Sequence, residues 1–300
     1  MDNRYHVFGL NIASVIPLPA PPVLHRQGDH GPDVLIEYGD IPDALTNPRF
    51  KGLRFQAGEG EFLLRVDGVA RYYVQKGHRI VVAPEDGTDE DDILVFLMGS
   101  IMGALLHQRN ILVLHAGAIE ANGGGVIFSG PSGSGKSTLT AGFHRRGYPF
   151  LADDVCAITT MNGHPAVIPG FPRLKLWADC LNKLNADKNE LKSIRWSRNM
   201  EKYYMSVDSI PHAPVPLKSV FVLKTANTEK IEISVLRGAE KINPIINNTY
   251  RLRFLDGLGG KKDHFRQCAA VAARAAVYRT VRPHKGFLLD ELMDLVESML

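Results

Sequence analysis

The chain has few cysteines, no long apolar run and almost no excess charge, and each shortage removes a class of protein. Only Cys156, Cys180 and Cys268 occur among 300 residues, far apart and without a C-x-x-C pair. Such a set favours neither a disulfide framework nor a zinc site, and it fits a reducing, cytoplasmic setting. The most apolar stretch, Ile93 to Leu106, is too short to span a bilayer and is expected to form a buried helix. The segment MDNRYH and the prolines Pro17, Pro19, Pro21 and Pro22 make a poor signal peptide. Lys plus Arg total 35 against 32 for Asp plus Glu. That balance implies neither a nucleic-acid nor a membrane partner. Internal repeats and low-complexity tracts are also missing.

What is present falls into two parts. Residues 1–90 are expected to form a small β-rich domain. VFGLNIASV, VLIEYG, FLLRV, ARYYVQ and RIVVAP are short β-branched or aromatic runs punctuated by Gly, Asp and Pro. The acidic run EDGTDEDD (Glu85 to Asp92) is either a metal site or, the reading preferred, a solvated linker whose Thr88 and carboxylates cap the next helix, about Asp91 to Gln108. Residues 91–300 carry an α/β pattern. ILVLHAGAIEA and GGVIFSG are strand-like and joined by the hairpin signal Asn122-Gly123. FLADDVCAITT starts another strand, and MNGHPAVIPG gives a second hairpin. PRLKLWADCLNKLNA is expected to be a proline-started helix. VPLKSVFVLKT and KIEISVLR are further strands. The last third, from about Lys241 and including DHFRQCAAVAARAAVYRTV, is expected to be helical.

The strongest signal is GPSGSGKST, which satisfies G-x-x-x-x-G-K-[ST] between an apolar strand and a helix. It comprises Gly130, Pro131, Ser132, Gly133, Ser134, Gly135, Lys136, Ser137 and Thr138. Its glycines can take positive φ and turn backbone N–H groups onto phosphates, and the helix N-terminus adds unpaired donors. The expected ligand is a nucleoside triphosphate, ATP, with Mg²⁺. Lys136 is expected to bridge the terminal phosphates and the Ser137 hydroxyl to ligate the metal.

Asp153 and Asp154 follow the helix after this loop. One carboxylate can serve Mg²⁺ while the other accepts the proton of an attacking hydroxyl. Adjacent strand residues point to opposite faces, so both reach one site only at a strand end or bend. The other reading keeps one metal ligand and one solvent-facing or capping Asp. His115, in LVLHAGAI, is either a satisfied core residue or part of the site.

The stretch LHAGAIEANGGGVIFSGPSGSGKSTLTAGFHRRGYPFLADDV resembles the catalytic core of bacterial HPr kinase/phosphorylase. The shared order is His115, the loop Gly130 to Ser137, Arg146-Gly147, then Ala152-Asp153-Asp154. The resemblance implies a P-loop kinase core of the HPr kinase and phosphoenolpyruvate carboxykinase type, assembling as a homo-oligomer. It implies that Asp154 accepts the proton of a substrate serine, that Lys136 and His115 are active-site residues, and that Ser137 binds Mg²⁺. Two features depart from the family: PGFPRLKLWADC lacks the family's metal-site glutamate, and Thr138 stands where Glu is common. These departures argue against HPr as substrate and against phosphorylase activity. The P-x-L-K-L-W stretch is closer to divergent relatives that tailor ribosomally made peptides, among them lasso precursors phosphorylated on a C-terminal serine. The resulting expectation is a serine kinase for a peptide or protein acceptor. The rivals are a nucleotide-binding regulatory protein without phosphoryl transfer and a small-molecule kinase or an ATPase.

Three further features stay open. Arg173 and Lys175 either face the phosphates or begin a solvated helix. The basic stretch with Lys188, Lys192, Arg195, Arg198 and Lys202 either docks an acidic peptide or carboxylate terminus, or is a charged surface helix. LDGLGGKKDH (Leu255 to His264) is either a lid or a connector ahead of a helix capped by Asp263.

Overall fold

The computed structural model describes residues 3–23, 31–183, 192–194, 202–207, 210–284, 286 and 288–300. The first part is a sheet of eight strands. They are β1 (Asn3–Val7), β2 (Leu10–Ser14), β3 (Val34–Tyr38), β4 (Phe50–Lys51), β5 (Phe55–Gly58), β6 (Glu61–Val66), β7 (Ala70–Gln75) and β8 (Arg79–Pro84). Their order across the sheet is β1-β2-β3-β8-β7-β6-β5-β4. The run VFGLNIASV, expected as one strand, is split between β1 and β2 by a tight turn at Phe8 and Gly9, both at positive φ. In β7, Ala70, Tyr72 and Val74 face the main core, while Tyr73 joins Leu63 and Val81 in a small cluster on the other face.

The linker helix is continuous but not regular. Helix α1 (Glu90–Phe96) passes through one π-helical stretch, Leu97–Ile101, into α2 (Met102–Gln108). The expected cap forms through a carboxylate of the acidic run: Asp89 accepts the Asp91 N–H, while the Thr88 hydroxyl is spent on the Val69 and Glu85 carbonyls and does not cap.

The second part is built on β9 (Leu112–Ala121), β10 (Gly124–Ser129), α3 (Lys136–Arg145), β11 (Phe150–Ala152), β12 (Val155–Met161) and β13 (His164–Ile168). The chain continues through β14 (Arg173–Trp177), α4 (Ala178–Lys183), β15 (Lys192–Ile194), β16 (Lys202–Ser206), β17 (Val215–Ala226) and β18 (Glu232–Val235). It ends with α5 (Ile242–Asn247), α6 (Leu255–Leu258), α7 (Lys261–Arg274), β19 (Ala276–Pro283) and α8 (Leu289–Glu297). Strands β9 and β17 each pair with β10 over one part of their length. Elsewhere they pair with β12 and β13, so β10-β9-β12-β13-β17 closes on itself. Strand β19 adds parallel to β17, and β18 adds at the edge. Both expected hairpin turns form, with Asn122-Gly123 and Asn162-Gly163 at positive φ as a type I′ turn requires.

Two helix expectations are corrected. Residues 173–177 are strand β14, paired with β16, and not a helix. Leu174 and Leu176 are buried while Trp177 is exposed, a period of two rather than 3.6. The helical reading of DHFRQCAAVAARAAVYRTV ends at Arg274. Ala275 turns extended (φ −95°, ψ 150°), and VYRTV runs as β19 beside β17. Its β-branched and aromatic residues suit a strand between two others.

One buried cluster crosses the chain at residue 90. It joins Phe62, Tyr72 and Ile80 of the first sheet to Leu105, Val113, Val155, Ile168, Tyr250 and Phe254. The segment 255–264 packs against the first sheet at Gly257. Gly257 lies so close to Ala57 that a Cβ would meet its carbonyl oxygen at 2.5 Å. The α7 cap is Gly260, while Asp263 lies within the first turn and pairs with Arg266. Among the described residues, no helix is long and apolar enough to cross a membrane.

Candidate active site

The loop from Gly130 to Gly135 leaves β10 and enters α3, with Gly133 at φ 80° and Gly135 at φ 101°. Side chains are ill suited to those values, so the glycines are what lets this loop close. It approaches the rest of the fold closely as well. A Cβ on Gly130 would stand 2.4 Å from the Leu223 carbonyl oxygen. Arg282 on β19 braces the loop from outside, donating from Nε to the Ser134 carbonyl at 3.0 Å. The Ser134 hydroxyl is buried with no hydrogen-bond partner among the described residues. The Lys136 ammonium is buried and folds back on the loop, donating to the carbonyls of Gly130 (2.9 Å) and Pro131 (3.0 Å). Burial pushes its pKa down, against the upward pull of Asp154 and Asp153. Thr138 Oγ1 lies 2.9 Å from Cys180 Sγ on α4.

Strands β11 and β12 are separated by Asp153 and Asp154, with Asp154 at φ 68°. This break allows two consecutive carboxylates to serve one site, where a regular strand would have turned one away. Asp153 Oδ1 accepts from the Ser137 hydroxyl at 2.8 Å, and Oδ2 accepts from the Lys175 backbone N–H at 2.8 Å. Asp154 Oδ1 lies 3.0 Å from His115 Nδ1 on β9, whose register places His115 opposite Val155. His115 is therefore not a core residue; its side chain is 33% exposed and faces Asp154.

The two aspartates titrate in opposite directions. Burial, reinforced by the charge of Asp154, raises Asp153 to about 6, against the Lys175 N–H and Ser137 hydroxyl bonds. Burial also pushes Asp154 up, but the His115 hydrogen bond and then the charges of Lys175, His115 and Arg251 outweigh it. They hold Asp154 at about 2.

Two cavities meet at this point. The first, about 330 Å³, is lined by the loop from Ser132 to Leu139 and by Trp177, Arg282, His284 and Leu289. The second, about 450 Å³, is lined by Gly130, Pro131, Val95, Ser100, Tyr250 and Arg251. His115, Ser132, Asp154, Lys175 and Lys202 line both and form the shared wall where they adjoin. Burial lowers the pKa of Lys202, and the nearby charge of Lys175 lowers it further. Lys202 also lies over Trp177, with Nζ 4.1 Å from the ring centroid. A wall with crowded ammonium groups is suited to an anionic ligand.

The structure thus brings together the loop from Gly130 to Thr138, Asp153, Asp154, His115 and Lys175. Arg173 reaches them from one side, lining a small cavity together with Asp153, Asp154 and Lys175. Its guanidinium stacks 3.4 Å from the Tyr204 ring centroid and reaches Met98 Sδ. Of the basic stretch, Lys188, Arg195, Arg198 and the side chain of Lys192 lie outside the described residues, while Lys202 is in the wall. Sequence reasoning missed Arg251, Arg282 and His284. None lies in a motif, and each arrives through strand pairing distant in sequence.

Ser137 Oγ and Asp153 Oδ1 are hard oxygen donors 2.8 Å apart. That donor set fits Mg²⁺, which typically takes one or two carboxylates and completes its shell with phosphate oxygens and water. Among the described residues, no group of three or more His, Cys, Asp or Glu side chains is placed to hold a metal alone.

No family model and no curated protein matches the chain. Among solved structures, it is similar to the HPr(Ser) kinase/phosphatase from Coxiella burnetii, at 12% identity and a TM-score of 0.32, over 62% of this chain and 95% of that one.

Proposed function

We propose that the chain is an ATP- and Mg²⁺-dependent kinase that transfers the γ-phosphoryl group to a serine hydroxyl of a peptide or protein. The observation that carries this reading is the wall itself. Asp154, His115, Lys175 and Lys202 are shared by the cavity along Ser132 to Leu139 and by an adjoining cavity that extends past Gly130 and Pro131 to Tyr250 and Arg251. A donor on one side and an acceptor on the other would meet at Asp154.

Each residue then has a role that follows from its place. The loop N–H groups and the start of α3 cradle the phosphates. Lys136 exchanges its bonds to Gly130 and Pro131 for phosphate oxygens, and Lys175 and Lys202 neutralise the γ-phosphoryl group. Magnesium, when bound, would be held by Ser137 and Asp153 and would neutralise charge on the β- and γ-phosphates. Asp154 is ionised through the neutral range and accepts the hydrogen bond of the acceptor hydroxyl. It takes the proton as the oxygen–phosphorus bond forms and the bond to the leaving ADP oxygen breaks. A carboxylate held near 2 is a weak base, so its main contribution is orienting the hydroxyl, which suits a reaction governed by positioning and charge. His115 fixes the rotamer of Asp154. The C-terminal serine of a ribosomally made precursor peptide is the first acceptor to try.

Calorimetric titration of ATP with and without Mg²⁺, followed by ATP consumption in the presence of serine peptides, tests the reading. Mg²⁺-enhanced binding and peptide-dependent consumption, both lost in Lys136→Ala, are the expected results. Tight binding with no consumption in any mixture would replace the kinase by a nucleotide-binding regulatory protein.

A further inference from the structure

Three backbone irregularities converge on the second cavity. Asp154 and Arg251 are non-glycine residues at φ 68° and 52°, and the π-helical stretch Leu97–Ile101 contributes Ser100 to the lining. Asn122 and Asn162 have positive φ for an evident reason, since each opens a two-residue hairpin turn. Asp154 and Arg251 open no such hairpin. Left-handed non-glycine residues and π-bulges concentrate where a fold holds functional groups in place.

The segment carrying Arg251 is fixed from several directions. Asn248 O accepts from the His115 N–H at 2.8 Å, and the Tyr250 N–H donates to Val113 O at 2.8 Å. Thr249 thereby forms an isolated bridge with Leu114 of β9. Two buried histidines secure the other side. His107 Nε2 lies 2.8 Å from Tyr250 O, and His264 Nε2 lies 2.8 Å from Thr249 Oγ1. The Tyr250 ring rests on Gly103, where a Cβ would stand 2.8 Å away. Arg251 is thus the exposed end of a clamped segment, and it makes no ion pair among the described residues.

Its position separates it from the other cations. Lys175 and Lys202 line both cavities, so a bound triphosphate uses their charge. Arg251 lines the second cavity and not the first. Apart from Asp154, no Asp or Glu among the described residues lines that cavity.

Resting on the kinase reading, we propose that the second cavity is the acceptor site and that Arg251 binds a carboxylate carried by the acceptor near its reacting hydroxyl. The guanidinium offers a planar donor fork that matches a carboxylate, and it stays charged at all working pH values. The carboxylate comes either from a chain terminus or from an acidic side chain beside the serine. In both cases it would hold the hydroxyl against Asp154.

The test uses three acetylated peptides of equal length: one ending in serine with a free carboxylate, its C-terminal amide, and an amide with aspartate beside the serine. Transfer from Mg·ATP is measured as kcat/KM. Binding is measured separately on protein loaded with Mg²⁺ and a non-hydrolysable ATP analogue. Wild type should favour an anionic peptide over the neutral amide by about tenfold or more, as expected for a charge-assisted hydrogen bond. Arg251→Met should erase the preference, and Arg251→Lys should keep part of it. Preference for the first peptide assigns a terminal carboxylate, and preference for the third an acidic side chain. Equal use of all three by wild type, or an equal loss on all three in Arg251→Met, overturns the proposal and leaves the kinase reading standing. Anion-selective binding that depends on Arg251, without any transfer, upholds the site and removes the kinase. Neither binding nor transfer overturns both.

Discussion

The sheet of residues 3–84 and the closed sheet that follows share a core but differ in how they treat charge and backbone. In the first, ion pairs such as Arg65–Asp67 and Arg71–Asp43 lie at the surface, and the backbone oddities Phe8 and Lys76 each precede a glycine in a tight turn. In the second, Asp153, Asp154, Lys136 and Lys202 are crowded together and shifted from their ordinary pKa values, and Asp154 and Arg251 hold left-handed backbone away from hairpins. Such features are unfavourable to folding on their own. The first sheet contributes burial; the second uses part of that stability to hold a site.

The sharpest way to break this contrast is Asp154→Asn. Transfer should fall by about 10²-fold or more, the loss expected when the reacting hydroxyl is misplaced, while ATP binding stays mostly intact. Steady-state rates and calorimetry decide it, and an Asn variant with near-full activity removes Asp154 from its role.

Phe254→Ala probes the opposite quality. Phe254 is buried, with ring centroids 4.4 Å from Phe62 and 4.8 Å from Phe55, and it ties the C-terminal segment to the first sheet. Truncation should lower unfolding stability by about 3–5 kcal/mol, read by denaturant titration. A loss below about 1 kcal/mol would mean that the two sheets are not welded there.

A third prediction concerns pH. The folded chain holds the Asp153 proton more tightly than the unfolded chain does, because its pKa is raised to about 6. Without metal, stability from this group is present below the ordinary Asp range and lost as pH rises through about 6. Mg²⁺ competes with that proton. Mg²⁺-dependent ATP affinity should therefore plateau above about 6 and drop by about tenfold per pH unit below it. Asp153→Asn should flatten the profile; an unchanged slope in that variant would place the metal elsewhere.

The smallest effect belongs to the first sheet. Arg65→Ala breaks an ion pair whose side chains are 69% and 80% exposed, so stability should move by no more than about 0.5 kcal/mol. A larger change would make the surface charges structural and blur the contrast.

Much of this was legible in the sequence where the determinants are local. The glycine loop, the Asn-Gly turns and the broken strand at Asp153-Asp154 all declare themselves within a few residues. Local signals also misled. Pro172 before RLKLW suggested a helix start, although Leu174 and Leu176 already alternate with polar residues. The apolar run after Asp263 hid the switch at Ala275, since alanines continue a helix until strand pairing intervenes. Arg251 was beyond reach, because its place depends on a bridge between Thr249 and Leu114, 135 positions apart. The stacking of Arg173 on Tyr204 was out of reach for a related reason, as it follows from β14 pairing with β16.

The most direct test of the account is transfer from γ-labelled ATP with Mg²⁺ to HPr, serine-ended peptides, free serine and water, with Lys136→Ala alongside. The account predicts label on a peptide or protein serine, located by mass spectrometry and absent with the variant. Label released only to water, or ATP bound and never consumed, would contradict it.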